Sequence, residues 1–451
     1  MIYIENLHKS LNISYVNESG KIEIEKIKLN EDELFEWKKP NNSKDKIFYI
    51  NLLKKRKTYK LNKYRINELI HSLPKEKQKL IFNNNRPKLF FYDFKLKEPQ
   101  ELRDFLNAKS QILTISITNE KNQIIVFSIK KLYSSQKLEI EKKLKLTFDQ
   151  NIELKYLEFD SERGMLDILF SKYIKNIPCL LGWNSKNQWA YLINRAKKLN
   201  LNPEKCSLSG KLITKQNIPE HNIVLDYIDI YKKYDTSILI KEDDSIEWAT
   251  KNILKRKKQN LNSCIYDSCF EEFILHSAND SYLIYLLHKK LNSFDVFYKM
   301  SQIAHVELLK AFSPIHQDEM MMGQELLKSN KVMIHDENDI VNRERYSGGF
   351  IMDPKPGLYK NIGVFDFDSM YSTIIRQFNI SPETYIGKDL NLEDENEYII
   401  TQNKCFYKKN KDNILKNILT NLFNERMKNK QISLEIENEI NYLEKELKNK
   451  I

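Results

Sequence analysis

Residues 364–384 read VFDFDSMYSTIIRQFNISPET, and the fold turns on how they are read. The apolar run 364–367 is expected to be a strand that delivers Asp366 at its edge. The following turn exposes backbone N–H groups near Ser369 and Met370, and an amphipathic helix is expected from Tyr371. A hard divalent metal prefers carboxylate oxygens. N–H groups at a turn or helix start prefer phosphate oxygens. One short element can therefore hold a metal and a triphosphate together. The plain alternative for a lone strand-end aspartate is a helix cap.

Outward from this stretch, the chain has 451 residues, too many for one compact core, so about two to four domains are expected. Hydrophobic residues (41%) and aromatics (11%) supply ample core material. No apolar run reaches the roughly 20 residues of a membrane span. The start, MIYIENLHKS, lacks a basic region followed by an apolar one, so no signal peptide is expected. Cys179, Cys206, Cys264, Cys269 and Cys405 form no C-x-x-C pair and read as free thiols of a reducing compartment. A net charge of +11 fits a polyanionic partner, above all nucleic acid. The codon bias of a low-GC genome toward Lys, Asn and Ile accounts for it equally well.

Residues 1–86 alternate strand-like stretches (MIYIENL, KIEIEKIKL, KIFYINLL) with basic turns and a helix at YRINELIHSL, an α/β pattern. LLKKRKTYKLNKYR (52–65) interleaves Lys and Arg with Tyr59 and Tyr64, which suits phosphate contact plus base stacking. A solvated basic hairpin explains it as well. From residue 87, KLFFYDF, QILTISIT and QIIVFSIK read as sheet neighbours, and IPCLLGWNS as a strand entering a loop. WAYLINRAKKLN and FEEFILHSANDSYLIYLLHKKLNS read as helices by apolar residues three and four apart. Together they predict a layered α/β domain over 87–290. Helices at DVFYKMSQIAHVELLKAF and MMMGQELLKSNKV follow within 291–345, the Met run being core. Residues 346–412 carry the aspartate and its turn. Over 413–451, Ile414, Ile418, Leu422, Met427, Ile436, Ile440, Leu443 and Leu447 keep helical spacing without Gly or Pro. That predicts one long helix, or two with a break near Lys430, and no stop signal closes it. A partner or a missing segment is expected to continue it.

The stretch YSGGFIMDPKPGLYKNIGVFDFDSMYSTIIRQFNISPET (346–384) resembles motif A of family B DNA polymerases, especially those of tailed phages. The family pattern is Y-x-G-G, a Pro-x-x-Gly-Leu-Tyr lead-in, D-F-x-S-L-Y-P-S-I-I and N-I-x-P-E-T. This chain departs from it at Met370, Ser372 and Thr373, none of which removes a ligand. The resemblance implies that Asp366 and the Phe367 carbonyl ligate catalytic Mg²⁺, two ions in all. It implies that Ser369 and Met370 N–H groups hold the triphosphate and that Tyr371 excludes a 2′-hydroxyl. Tyr346, Gly348 and Gly349 would contact template backbone. NERMKNK resembles the fingers helix, where Arg426 and Lys430, four apart on one face, would reach incoming phosphates; without motif A they read as a solvated basic face. Two-metal transfer needs carboxylates around ions about 4 Å apart. The family's later D-T-D-S and K-x-x-x-N-S-x-Y-G patterns do not occur after residue 384.

The middle region sits where the family carries an RNase H-like 3′–5′ exonuclease, whose site uses four acidic residues in three motifs. FFYDFK keeps Asp93 but has Lys95 where the pattern has Glu. GWNSKNQWAYLINR keeps Asn184 but lacks the following Asp, with one residue deleted. HSANDSYL has His276 in place of Tyr and keeps Asp280. VLDYIDIYKKY (224–234) also resembles the phage family and supports the register. Two of four carboxylates are gone and an ammonium stands where a metal would, so the site is expected to be degenerate and inactive. Asp93 and Lys95 lie on one side of a strand, which makes an ion pair the plain structural reading.

These readings combine into an expectation. The chain is an α/β multidomain protein: an N-terminal α/β domain (1–86), an exonuclease-like domain (87–290) and a helical return (291–345). A partial palm (346–412) and a first fingers helix (413–451) complete it. It would be the N-terminal subunit of a split DNA-directed DNA polymerase. Its expected partners are a second chain with the remaining palm, fingers and thumb, primer–template DNA, dNTPs and a sliding clamp or other processivity factor. Its expected place is the cytoplasm, that of a bacterial host if phage-encoded. The alternative is a non-catalytic nucleic-acid-binding or regulatory remnant. A truncated product of a longer gene is the third reading.

Overall fold

A computed structural model describes residues 1, 3–7, 10–28, 49–51, 70, 73–98, 102, 104–213, 217–235, 243–256, 269–328, 331–333, 349–350, 352–367, 369–391, 395–411 and 413–450. They form two compact units: Met1–Asn30 with Leu73–Gln317, and Glu31–Ser72 with Asp318–Ile451. The basic stretch 52–65 and most of the helix expected at YRINELIHSL lie outside the described residues.

The chain begins with an antiparallel sheet of β1 (Tyr3–Leu7), β2 (Ser10–Val16) and β3 (Ile22–Lys28), β2 in the middle. β4 (Tyr49–Asn51) belongs to the second unit. Helix α1 (Lys75–Ile81) leads to β5 (Leu89–Leu96), whose burial alternates as a strand lying between two layers requires. One face of β5 turns Tyr92, Phe94 and Leu96 into the main core. The other carries Asp93 and Lys95, both only partly covered. Strands β6 (Ile112–Asn119), β7 (Gln123–Ser128), β8 (Glu153–Glu158), β9 (Cys179–Gly182) and β10 (Ile223–Asp226) complete a six-stranded mixed sheet, order β10-β9-β5-β6-β7-β8. β9 runs parallel to β5 and to β10, while β6 is antiparallel to both β5 and β7.

Further helices of this unit include α2 (Ser134–Thr147), α3 (Glu162–Ile168), α4 (Ser185–Lys198), α5 (Tyr227–Tyr234), α6 (Phe270–Leu291) and α7 (Ser293–Ile303). α6 packs on the sheet through small hydroxyl residues. Thr114 Oγ1 lies 3.0 Å from Ser277 Oγ, Ser116 Oγ donates to the Ser277 carbonyl at 2.6 Å, and Thr118 Oγ1 lies 2.8 Å from Ser281 Oγ. All five residues are buried, so each bond is made rather than left unsatisfied, worth about 1 kcal/mol net apiece. Ser277 and Ser281 are four apart, one helical turn, and Thr114, Ser116 and Thr118 are two apart, one strand face. This match sets the register of α6 over β5 and β6. The helix expected at DVFYKMSQIAHVELLKAF is divided: α7 ends at Ile303, and a 3₁₀ turn follows at Leu308–Phe312. His305 between them has φ 52°, which no helix continues through.

α8 (Pro314–Lys328) has its first four residues in the first unit and the rest in the second, where β11 (Lys331–Met333) pairs with β4. Residues 362–367 are not a strand, which corrects the sequence expectation for VFDF. A strand is a pairing relation, and no described strand lies against this run. Val364 and Phe365 are 88% and 96% exposed. α9 (Met370–Gln377) follows, then a three-stranded antiparallel sheet of β12 (Tyr385–Lys388), β13 (Tyr398–Ile400) and β14 (Cys405–Lys408), β14 central. α10 (Ile414–Lys450) is a single unbroken helix of 37 residues, with no break near Lys430. Among the described residues, no helix is long and apolar enough to cross a membrane.

Candidate active site

The turn before α9 begins with Ser369 in the left-handed region, at φ 50° and ψ 47°. A residue other than glycine pays roughly 1 kcal/mol or more for that conformation, so something must hold it. Ser369 does not cap α9 with its own side chain. Its Oγ instead accepts a 2.7 Å hydrogen bond from Arg426 Nη1, fifty-seven residues later on α10. A second link joins the same helices: the Arg376 guanidinium stacks 4.2 Å over the Phe423 ring. The first N–H groups of α9, from Met370 on, have no intrahelical acceptor.

The motif NISPET fixes where α10 starts. Asn379, 1% exposed, donates to the carbonyls of Lys408 (2.8 Å) and Lys411 (3.1 Å). Glu383 Oε1 accepts from the Ile414 backbone N–H at 2.8 Å, and Asn413 Oδ1 accepts from Lys416 N–H at 2.9 Å. Two side chains thus satisfy free donors at the α10 N-terminus, one with a negative charge where the helix dipole favours it. The sequence shows this motif as a family marker. Its capping role needs the tertiary contact.

Asp366 and Phe367 are exposed in the irregular run before the turn, and Tyr371 is 76% exposed in the first turn of α9. Lys430 is exposed one helical turn beyond Arg426, and Gly349 is exposed in coil. Tyr346 and Gly348 lie outside the described residues. Among the described residues, no three His, Cys, Asp or Glu side chains group to hold a metal. Asp366 alone does not fit a pair of divalent ions, which need several shared oxygen ligands.

A second cluster sits on the open face of β5. Lys95 Nζ lies 2.7 Å from Asp93 Oδ2 and also bonds Asp280 Oδ2 on α6. Gln188 Nε2, from α4, donates to Asp93 Oδ1 at 2.7 Å. Burial pulls the Lys95 ammonium down, but Asp280 and Asp93 outweigh it and hold the amine protonated, far above its usual range. Both oxygens of Asp93 are engaged, and an ammonium fills the space between two carboxylates. This donor set does not fit a divalent cation. Asn184 is elsewhere: left-handed (φ 64°), it ends the loop before α4, where its N–H and that of Lys186 each donate to Asp226 at 3.1 Å. Burial raises the Asp226 pKa despite these donors. Sequence reasoning did not single out Gln188, which matched no acidic position of the motif. Its only signal is being four past Asn184, one turn into the helix. His276, buried, lies on α6 one turn before Asp280.

Comparison with known proteins gives two matching family models. DNA polymerase family B matches residues 318–450, and DNA polymerase family B, exonuclease domain, matches residues 44–264. The chain is 28% identical over 303 residues to the DNA-directed DNA polymerase of Escherichia phage RB69, covering 61% of this chain and 33% of that protein. It is 26% identical over 299 residues to the DNA-directed DNA polymerase of Enterobacteria phage T4, covering 60% and 33%. With the DNA polymerase of Archaeoglobus fulgidus the figures are 24% over 287 residues, 60% and 34%. The chain spans about a third of the length of these relatives.

Proposed function

The chain belongs to DNA polymerase family B, and on that premise we propose that it supplies motif A to a template-directed DNA polymerase while carrying an inactive exonuclease domain. The observation that carries the reading is the Arg426–Ser369 hydrogen bond at 2.7 Å. It joins two segments, far apart in sequence, that motif resemblance assigns to one triphosphate. In this reading the N–H groups of Ser369 and Met370 bind phosphate oxygens at the start of α9. Arg426 and Lys430 add positive charge from α10, and Tyr371 lies beneath the sugar. Tyr346, Gly348 and Gly349 meet the template backbone. The Asp366 carboxylate and the Phe367 carbonyl would be this chain's share of the Mg²⁺ ligands, the rest coming from the polypeptide that carries the later motifs.

The D-T-D-S and K-x-x-x-N-S-x-Y-G patterns are not among the 451 residues, so the reading requires polypeptide that carries them. We take primer–template DNA and dNTPs as the substrates of the completed polymerase, a clamp or other processivity factor as its partner and the host cytoplasm as the setting. The test is primer extension by this chain together with a polypeptide bearing D-T-D-S. Asp366→Ala is expected to abolish extension; extension that persists refutes the role of Asp366.

The exonuclease reading is supported by the ammonium of Lys95 between Asp93 and Asp280 and by Gln188, a neutral amide, on Asp93. Labelled single-stranded DNA incubated with the chain and Mg²⁺ or Mn²⁺ should keep its length. Metal-dependent shortening that survives Asp366→Ala overturns it.

A further inference from the structure

We propose that the first unit binds a small apolar amine in a cavity at the C-terminal end of β10, with its ammonium against Asp226 and Asp229 and its body against Trp189 and Phe312. The proposal does not rest on the polymerase reading or on the state of the exonuclease-like cluster. The cavity has a volume of about 620 Å³, within the roughly 300–1,000 Å³ of small-molecule sites. It lies between the first turns of α4 and α5 and the 3₁₀ turn Leu308–Phe312, all within the first unit. Crevices beyond the carboxyl ends of parallel strands are where α/β sheets take ligands, and β10 runs parallel to β9. Asp93, Lys95 and Asp280 are not among the lining residues.

Trp189, Ile218, Leu309 and Phe312 supply an apolar wall. Its two rings are already fixed. Trp189 Nε1 donates to the Asn217 carbonyl at 3.0 Å, which satisfies the polar edge of the indole and leaves the rest as hydrocarbon surface. The Phe312 ring packs on Phe297 with centroids 4.3 Å apart, and Lys233 Nζ on α5 donates to the Phe312 carbonyl. A wall held in place before the ligand arrives costs little ordering on binding.

The polar end selects a cation. Two helix starts meet there, an arrangement that would ordinarily draw an anion. Asp226 already fills that place: its Oδ1 accepts from the Ile228 N–H on α5 and its Oδ2 from the Lys186 N–H on α4, each at 3.1 Å. A phosphate therefore meets a resident carboxylate, and the charge left over is negative. Asp226 is buried, and burial raises its pKa against these donors, with Asp229 pushing the same way. Two carboxylates share one ammonium, that of Lys186, which lies 2.6 Å from Asp229 with a side chain 72% exposed. So exposed a pair is weak, and a ligand ammonium displaces the lysine at little cost.

The experiment titrates 2-phenylethylammonium into the full chain by calorimetry, with 2-phenylethanol, methylammonium and inorganic phosphate as comparison probes. One equivalent of 2-phenylethylammonium is expected to bind with a Kd below about 1 mM and to raise Tm. The alcohol lacks the charge and methylammonium lacks the body, so each is expected to bind at least about tenfold more weakly. Asp229→Asn is expected to weaken the amine about tenfold. Leu309→Lys brings a rival ammonium to a partly exposed wall position and is expected to abolish uptake, with far-UV circular dichroism unchanged. Should Leu309→Lys fail to fold, Asp229→Asn decides alone. Alcohol that binds as tightly as the amine, variants that bind like the parent, phosphate that competes, or no saturation by about 10 mM amine each overturn the proposal.

Discussion

Lys95 and Asp93 face each other across 2.7 Å on one side of one strand, and the same ammonium reaches Asp280 on the helix above. One lysine therefore ties sheet to helix. Removing it leaves two largely buried carboxylates facing each other. Lys95→Met is expected to cost about 3 kcal/mol of stability, measured by denaturant unfolding. Lys95→Glu should be destabilised as well and should regain thermal stability when Mn²⁺ is added, whereas the parent chain should not respond. A metal response of the parent equal to that of the variant would show that Lys95 is not the internal cation.

Arg426 should matter to nucleotide binding more than to folding, because α10 is solvent-exposed around it. In the proposed polymerase, Arg426→Ala is expected to raise KM for dNTP about tenfold or more, because the proposed charge-assisted hydrogen bond to phosphate would be lost. Arg426→Lys should recover only part of this, because a lysine cannot bridge the Ser369 hydroxyl and a phosphate with one planar fork. Steady-state primer extension separates these outcomes.

Acid should weaken the first unit through His288. Burial depresses its pKa from 6.5 to about 4, with Asp295 pulling it up and Arg86 pushing it down. Its Nε2 lies 3.1 Å from the Arg86 guanidinium and therefore accepts, as a neutral ring must. Below pH 6.5 the unfolded histidine takes up a proton that the folded one refuses until about pH 4. The unfolded state then binds more protons, so stability falls with pH across that window, by up to about 3 kcal/mol. Unfolding free energies measured from pH 7 to 4 should show the decline, and His288→Phe should flatten it.

Glu383 should control the start of α10. Glu383→Ala removes the acceptor for the Ile414 N–H and a negative charge at the helix N-terminus. The expected cost is about 1–2 kcal/mol. Hydrogen exchange should quicken at the first-turn amides of α10, while those of α6 stay unchanged.

Much of this architecture was legible from periodicity. LFFYDFKL alternates as a strand between two layers, and FILHSANDSYLIYLL keeps helical spacing, because each carries its own burial pattern. β2 was not, although it is the central strand of its sheet. SLNISYV buries Ser10 and Ser14, and the latter hydrogen-bonds the Tyr3 backbone, so polar residues that look like loop are core. The run VFDF misled in the opposite sense: its composition favours a strand, yet pairing comes from other chain segments, not from propensity. At the ion-paired cluster on β5, Asp93, Lys95 and Asp280 could be named in advance from motif spacing. Gln188 could not, since no motif position pointed to it and only the turn of α4 brings it to Asp93.

The unbroken α10 has a mechanical consequence. Its 37 residues span about 55 Å, and Glu383 and Asn413 clamp one end like a pivot. A swing of about 10° at that pivot would carry the far tip roughly 10 Å and Arg426, about 18 Å along, roughly 3 Å. That smaller travel is enough to part Arg426 from Ser369. Whatever grips the distal turns of this lever thereby sets, from a distance, whether the Ser369 turn keeps its arginine.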